Sequence, residues 1–154
     1  MFNILKRNGF VAYADGVLKK VDESNDPVFS ERMLGDGIII TPTSNIVVSP
    51  IKGTVTMMFP TKHAVGLKDI NGNEYLLHIG IDTVNLKGKY FKNLVQENSI
   101  VEVNQPIMEV EFSEIEKLVK SIDVICVFTD GRKVKKIKEG IVKRGEKDIV
   151  TLSK

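Results

Sequence analysis

The density of chain-reversing pairs constrains this chain most. Gly35-Asp36-Gly37, Thr41-Pro42, Ser49-Pro50, Lys52-Gly53, Asn71-Gly72, Asp130-Gly131 and Arg144-Gly145 leave little room for a long helix. Between them lie short apolar or β-branched stretches at 11–14, 37–41, 46–49, 54–59, 64–67, 74–81, 107–111, 124–129 and 149–152. Short strands at this spacing predict an all-β sandwich or barrel. Two short helical pieces are expected besides. One starts at Ser113, whose hydroxyl can cap free amides while Glu116 reaches back, with Ile115, Val119 and Ile122 at helical spacing. A weaker one covers 90–95. No fixed-period repeat, low-complexity tract or linker divides the 154 residues, so one domain over 1–154 is expected, with residues 1–10 as a mobile arm.

Composition narrows the function classes. No apolar run approaches the roughly 18 residues of a membrane span, and the start, MFNILKRN, lacks the apolar region and cleavage site of a secretory signal. The expectation is a cytoplasmic protein with no transmembrane segment. The lone Cys126 sits in an apolar run and reads as a buried, inert thiol. Net charge is +2, yet Arg132, Lys133, Lys135, Lys136, Lys138, Lys143, Arg144 and Lys147 cluster near the end. That stretch has no aromatic residue for base stacking, and lysines commonly guard edge strands, so no nucleic-acid partner is expected. No dinucleotide fingerprint, phosphate-binding loop or nucleophile elbow is present.

The chain has two histidines, His63 and His78. Alternation along 75–82 puts Tyr75, Leu77, Ile79 and Ile81 on a core face, and His78 on the other with Leu76, Gly80 and Asp82. If Asn71-Gly72 makes a two-residue hairpin, Val65 pairs with His78 and Gly80 with His63. The histidines are then diagonal neighbours about 7 to 8 Å apart on one face. Gly80 would leave space for a phosphate beside them, and Thr61 would share the face of His63; a one-residue slip would separate the pair. A neutral imidazole can attack phosphorus while a second donates to the phosphoryl oxygens. Phe29, Leu34, Phe59, Leu76 and Val84 are expected to form an apolar surround that docks a partner and excludes water. Other readings stay open: histidines that merely pack, a weak zinc site at His63 and His78 completed by water or a partner's carboxylate, a zinc-dependent hydrolase on a related β architecture, which would need more ligands than this chain offers, and a regulatory module that binds without carrying phosphate.

At these residues the chain resembles the glucose-family IIA proteins of the bacterial phosphotransferase system. Residues 77–88, LHIGIDTVNLKG, resemble that family's phosphorylation-site motif, and Thr61-Lys62-His63-Ala64 its second-histidine motif. Residues 26–31, Gly35-Asp36-Gly37 with Pro42, and 49–55 resemble its earlier stretches, so the likeness runs from about Val11 onwards. The resemblance implies an antiparallel β-sandwich, or barrel-sandwich hybrid, with a shallow apolar depression. His78 would be phosphorylated through Nε2, His63 would steady the phosphoryl group, and Thr61 would orient the site. The donor would be the histidine phosphocarrier HPr, and the acceptor a cysteine on the IIB domain of a glucose-type permease. No cofactor is required. Asp26 and Asp82 would lie at the rim facing partner arginines, and whether regulatory partners also bind is left open. One departure is Gly66, three positions after the second histidine, where some members carry a large aromatic side chain at the docking surface.

Overall fold

The computed structural model describes residues 9–153. Among the described residues, thirteen strands, β1 to β13 in chain order, form three sheets in which every pairing is antiparallel. The large sheet has eight, in the spatial order β12 (Gly140–Val142), β1 (Gly16–Lys20), β2 (Asp36–Pro42), β10 (Ser121–Phe128), β6 (Glu74–Ile81), β5 (Ala64–Asp69), β4 (Gly53–Met58) and β8 (Ile100–Val101). A second sheet orders β3 (Ile46–Val48), β9 (Pro106–Val110) and β7 (Phe91–Asn93), and β11 (Val134–Ile137) pairs with β13 (Val150–Leu152). The expected all-β sandwich is therefore present.

The main core forms where the inner face of the large sheet meets the smaller sheets: Leu18, Ile38, Val65, Tyr75, Leu77, Ile79, Val124 and Cys126 pack with Val47, Phe91, Ile107, Val110 and Val150. Burying each Leu or Ile of this set contributes roughly 1.5–3 kcal/mol. A smaller cluster covers the outer face, with Val21, Phe29, Ile39, Ile81, Ile125 and Val127 buried and Val28 and Leu76 packed against them. The single helical turn α1 (Pro27–Ser30) supplies part of that cover. Its Asp26 cap accepts a hydrogen bond from the Val28 amide at 2.9 Å, and Pro27 opens the turn, where its missing N–H costs nothing.

Several expectations need correction. Residues 11–14 make no strand; Val11 forms one isolated bridge to Lys147, and the stretch is buried as irregular chain. The helix at Ser113 shrinks to α2 (Phe112–Ile115), with no side-chain cap, and Ile122 belongs to β10. Residues expected as a helix at 90–95 include β7 instead. Strands β1, β7, β8, β11 and β12 were not legible, being short or lysine-rich. Of the arm expected at 1–10, residues 1–8 lie outside the described residues, but Phe10 is core: it is 2% exposed and its ring lies 5.8 Å from both Tyr75 and Phe128.

The basic stretch is partly structural. The Arg132 guanidinium lies 4.9 Å from the Tyr75 ring and 5.7 Å from that of Phe128, and its Nε donates to the Asp130 carboxylate at 2.9 Å. Lys138 pairs with Glu146 at 2.8 Å. No helix among the described residues is long and apolar enough to cross a membrane. Cys126 is fully buried, and burial pushes its thiol pKa far up.

Candidate functional site

The β5–β6 hairpin that carries both histidines does not turn as Asn71-Gly72 predicts. Asp69 captures the chain: its carboxylate accepts from the Asn71 and Asn73 amides at 2.8 and 3.0 Å and from the Tyr75 hydroxyl at 2.8 Å. The Asp69 amide donates to the Asn73 carbonyl at 2.9 Å, the Gly72 amide to the Asp69 carbonyl at 3.0 Å, and Gly72 takes φ 89°. The result is a three-residue loop closed by a left-handed glycine. The register shifts by one: Ala64, not Val65, lies opposite His78, and Val65 faces Leu77 in the core.

With unbroken alternation this register would have turned His63 towards the core, yet the imidazoles meet. Strand β5 begins only at Ala64, and Lys62 before it takes φ 61°. That break frees His63 from the pleat while its carbonyl still accepts from the Ile79 amide at 2.7 Å. The two rings lie edge to face with centroids 5.2 Å apart. Phe29 from α1 stands 4.9 Å from the His78 ring, and Phe59 stands 5.4 Å from that of His63. The pair is thus wedged between two aromatic rings on the outer face, with Ile125 directly across the sheet from His78.

Gly80 has another task than leaving space beside the imidazoles. Its φ is 79°, and a Cβ there would lie 2.4 Å from Thr83 Cγ2. The left-handed turn brings the Gly80 carbonyl back to 2.8 Å from His78 Nδ1. It also ends the alternation, so Ile81 joins the outer cluster with Leu76 rather than the core face with Ile79. Thr83, which sequence reasoning missed, locks this turn by donating from Oγ1 to the Ile79 carbonyl at 2.6 Å, while its methyl fills the position a Gly80 side chain would need. The threonine three residues after the strand glycine, Gly80 to Thr83, was the available signal.

A carbonyl oxygen only accepts, so His78 Nδ1 carries the proton and Nε2 keeps a free lone pair. Burial, with a smaller contribution from His63, lowers the His78 pKa to about 4, against weaker upward pulls from the Gly80 carbonyl and the Asp26 carboxylate. Burial also lowers the pKa of His63, which is 8% exposed. Thr61 Oγ1 lies 2.5 Å from His63 Nδ1, which fixes the second ring. Both imidazoles are therefore neutral near pH 7.

The remaining predicted residues surround this pair unevenly. Asp26 caps α1 beside Phe29, and Leu76 is half-buried two residues from His78. Leu34 follows α1 and Val84 follows β6; both are exposed, as is Asp82, which takes φ 67°. Among the described residues, no three or more His, Cys, Asp or Glu side chains group so as to hold a metal ion.

Known proteins share this arrangement of chain. The glucose permease IIA of Mycoplasma capricolum superposes with a TM-score of 0.90 at 39% identity, covering 99% of both chains. In sequence, the glucose-specific EIIA component of Mycoplasma capricolum subsp. capricolum is 40% identical over 146 residues, 94% of each protein. The glucose-specific EIICBA component of Staphylococcus carnosus is 42% identical over 151 residues, 96% of this chain but 22% of that much longer protein. Residues 8–134 match the family described as phosphoenolpyruvate-dependent sugar phosphotransferase system, EIIA 1. The chain is a member of that family, a phosphotransferase component of sugar uptake.

Proposed function

We propose that the chain is a phosphohistidine carrier in which His78 Nε2 takes a phosphoryl group from HPr and yields it to a cysteine on the IIB domain of a glucose-type permease. The observation that carries this reading is the 2.8 Å contact from His78 Nδ1 to the Gly80 carbonyl, which leaves Nε2 as the nucleophile. As the Nε2–phosphorus bond forms, the donor's phosphorus–nitrogen bond breaks and its imidazole leaves. The positive charge that develops on the His78 ring is shared through Nδ1–H with the Gly80 carbonyl. His63, with Nδ1 accepting from the Thr61 hydroxyl, presents Nε2–H to the phosphoryl oxygens. In the second step a cysteine thiolate attacks phosphorus, and His78 departs as the neutral tautomer it began as. Phe29 and Phe59 shield the linkage from water. Asp26 and Asp82 at the rim meet partner arginines and set docking rate and specificity.

The mechanism uses no cofactor. The fusion named in the Staphylococcus carnosus relative, EIICBA, supports a IIB partner. The test is intact mass after incubation with enzyme I, HPr and phosphoenolpyruvate. One acid-labile phosphoryl group on the wild type and none on His78→Ala is expected; normal phosphoryl throughput in His78→Ala would sink the reading. His63→Ala is expected to accept the group yet pass it on slower by a factor on the order of 10².

A further inference from the structure

Arg32 holds a backbone position that suits glycine. The turn α1 ends in a Schellman cap: the Arg32 amide donates to the Phe29 carbonyl and the Met33 amide to the Val28 carbonyl, each at 3.0 Å, and Arg32 takes φ 57°. Glycine enters this left-handed conformation freely, whereas any other side chain is disfavoured there. What the arginine side chain reaches therefore matters.

Its guanidinium joins two carboxylates. Nε donates to Asp36 at 2.9 Å and Nη2 to Asp22 at 2.7 Å. Asp22 belongs to the 3-10 turn Val21–Glu23 that follows β1, and Asp36 opens β2. Asp36 is 7% exposed and is itself held from behind: its carboxylate also accepts from the Gly37 amide at 2.9 Å and from the Val134 amide of β11 at 2.8 Å. Exposed ion pairs contribute little, but this one ends on a carboxylate fixed by two backbone amides inside the fold. A helix of four residues does not sustain itself. The clamp ties its end to the large sheet, three residues after the Phe29 ring that covers His78.

We propose that Arg32 and Asp36 are positioning residues for His78: their clamp holds α1 down, so that Phe29 stays against the imidazole and keeps water from it. Where this concerns a phosphoryl group it rests on the phosphocarrier reading; where it concerns ring contact and burial it does not.

The test compares full-length Arg32→Gly, Asp36→Asn and Arg32→Lys with the wild type. Three quantities are read: ¹⁵N-detected titration of His78, nuclear Overhauser contacts between the Phe29 and His78 rings, and the lifetime of a phosphoryl group loaded from phospho-HPr. If Arg32 only stopped the helix, glycine would serve as well. Instead, Arg32→Gly and Asp36→Asn are both expected to weaken the ring contacts, raise the His78 midpoint from about 4 to about 5, and shorten the phosphoryl lifetime about tenfold. The two changes remove opposite charges, so a rise in both reports lost burial and not lost charge. Arg32→Lys, whose ammonium can serve both carboxylates, is expected to stay close to the wild type. Circular dichroism melts confirm that each variant is folded. Wild-type ring contacts and midpoint in Arg32→Gly, a lowered midpoint in Asp36→Asn, or an Arg32→Lys variant no better than Arg32→Gly overturns the proposal. If the wild type itself takes no phosphoryl group, it is the phosphocarrier reading that fails, and the midpoint and ring contacts still decide the clamp.

Discussion

His63 and His78 meet edge to face, with ring planes at 80° and centroids 5.2 Å apart, although the residue paired with His78 across the ladder is Ala64. The encounter depends on chain that leaves the strand geometry, at Lys62 before β5 and at Gly80 in β6, and not on strand pairing alone.

The depressed pKa of His78 has a signed consequence. Its folded-state value, about 4, lies below the ordinary 6.5, so between those values the unfolded chain binds a proton that the folded site refuses. Stability contributed by this group is present above pH 6.5 and is lost as pH falls towards 4. In ¹⁵N-detected NMR titrations, His78 is expected to stay neutral, with Nδ1 protonated, down to about pH 5. A midpoint near 6.5 would contradict the burial argument.

Thr61 is a positioning residue. Thr61→Val removes the partner of His63 Nδ1 and is expected to slow transfer roughly tenfold, the lower end for an orienting hydrogen bond. Thr61→Ser should restore it. The ¹⁵N shifts of His63 distinguish this role from a general structural one, because only loss of orientation mixes its tautomers while leaving those of His78 in place.

Gly80→Ala should disturb stability and chemistry together. Its φ of 79° disfavours a side chain, and the added methyl would meet Thr83 Cγ2. A loss of roughly 1–3 kcal/mol in urea unfolding is expected. As the Gly80 carbonyl shifts, the Nδ1–H tautomer of His78 should lose population, visible as a change in its ring nitrogen shifts.

Phe10 anchors the chain at the edge of the described residues. Phe10→Ala should cost about 3–5 kcal/mol, as for a large aromatic removed from a packed cluster. A change below about 1 kcal/mol in chemical denaturation would show that this ring is dispensable, as a mobile arm over 1–10 would require.

Local chemistry made much of this protein legible in its sequence. Turn pairs, together with the apolar and β-branched stretches between and beyond them, marked β2 to β6, β9, β10 and β13, because glycine and proline act through their own backbone sterics wherever they stand. Period-2 alternation placed Tyr75, Leu77 and Ile79 inside and His78 outside for the same reason. The resemblance carried by the two histidine motifs gave the family. Other features depended on groups distant in the chain or on competition between neighbours. Asp69 could be recognised as the residue that sets the hairpin only once its carboxylate was seen gathering the Asn71, Asn73 and Tyr75 donors, and that decided the register. The pKa of His78 follows from burial supplied by Phe29 and the surrounding sheet, which no local pattern encodes. Strands such as β1 and β12 exist because partners lie beside them, since a strand of three to five residues has too little intrinsic preference to form alone. The sequence by itself determined which residues could do the chemistry; the tertiary structure decided which nitrogen of His78 is free to do it, because that depends on where the Gly80 carbonyl comes to rest.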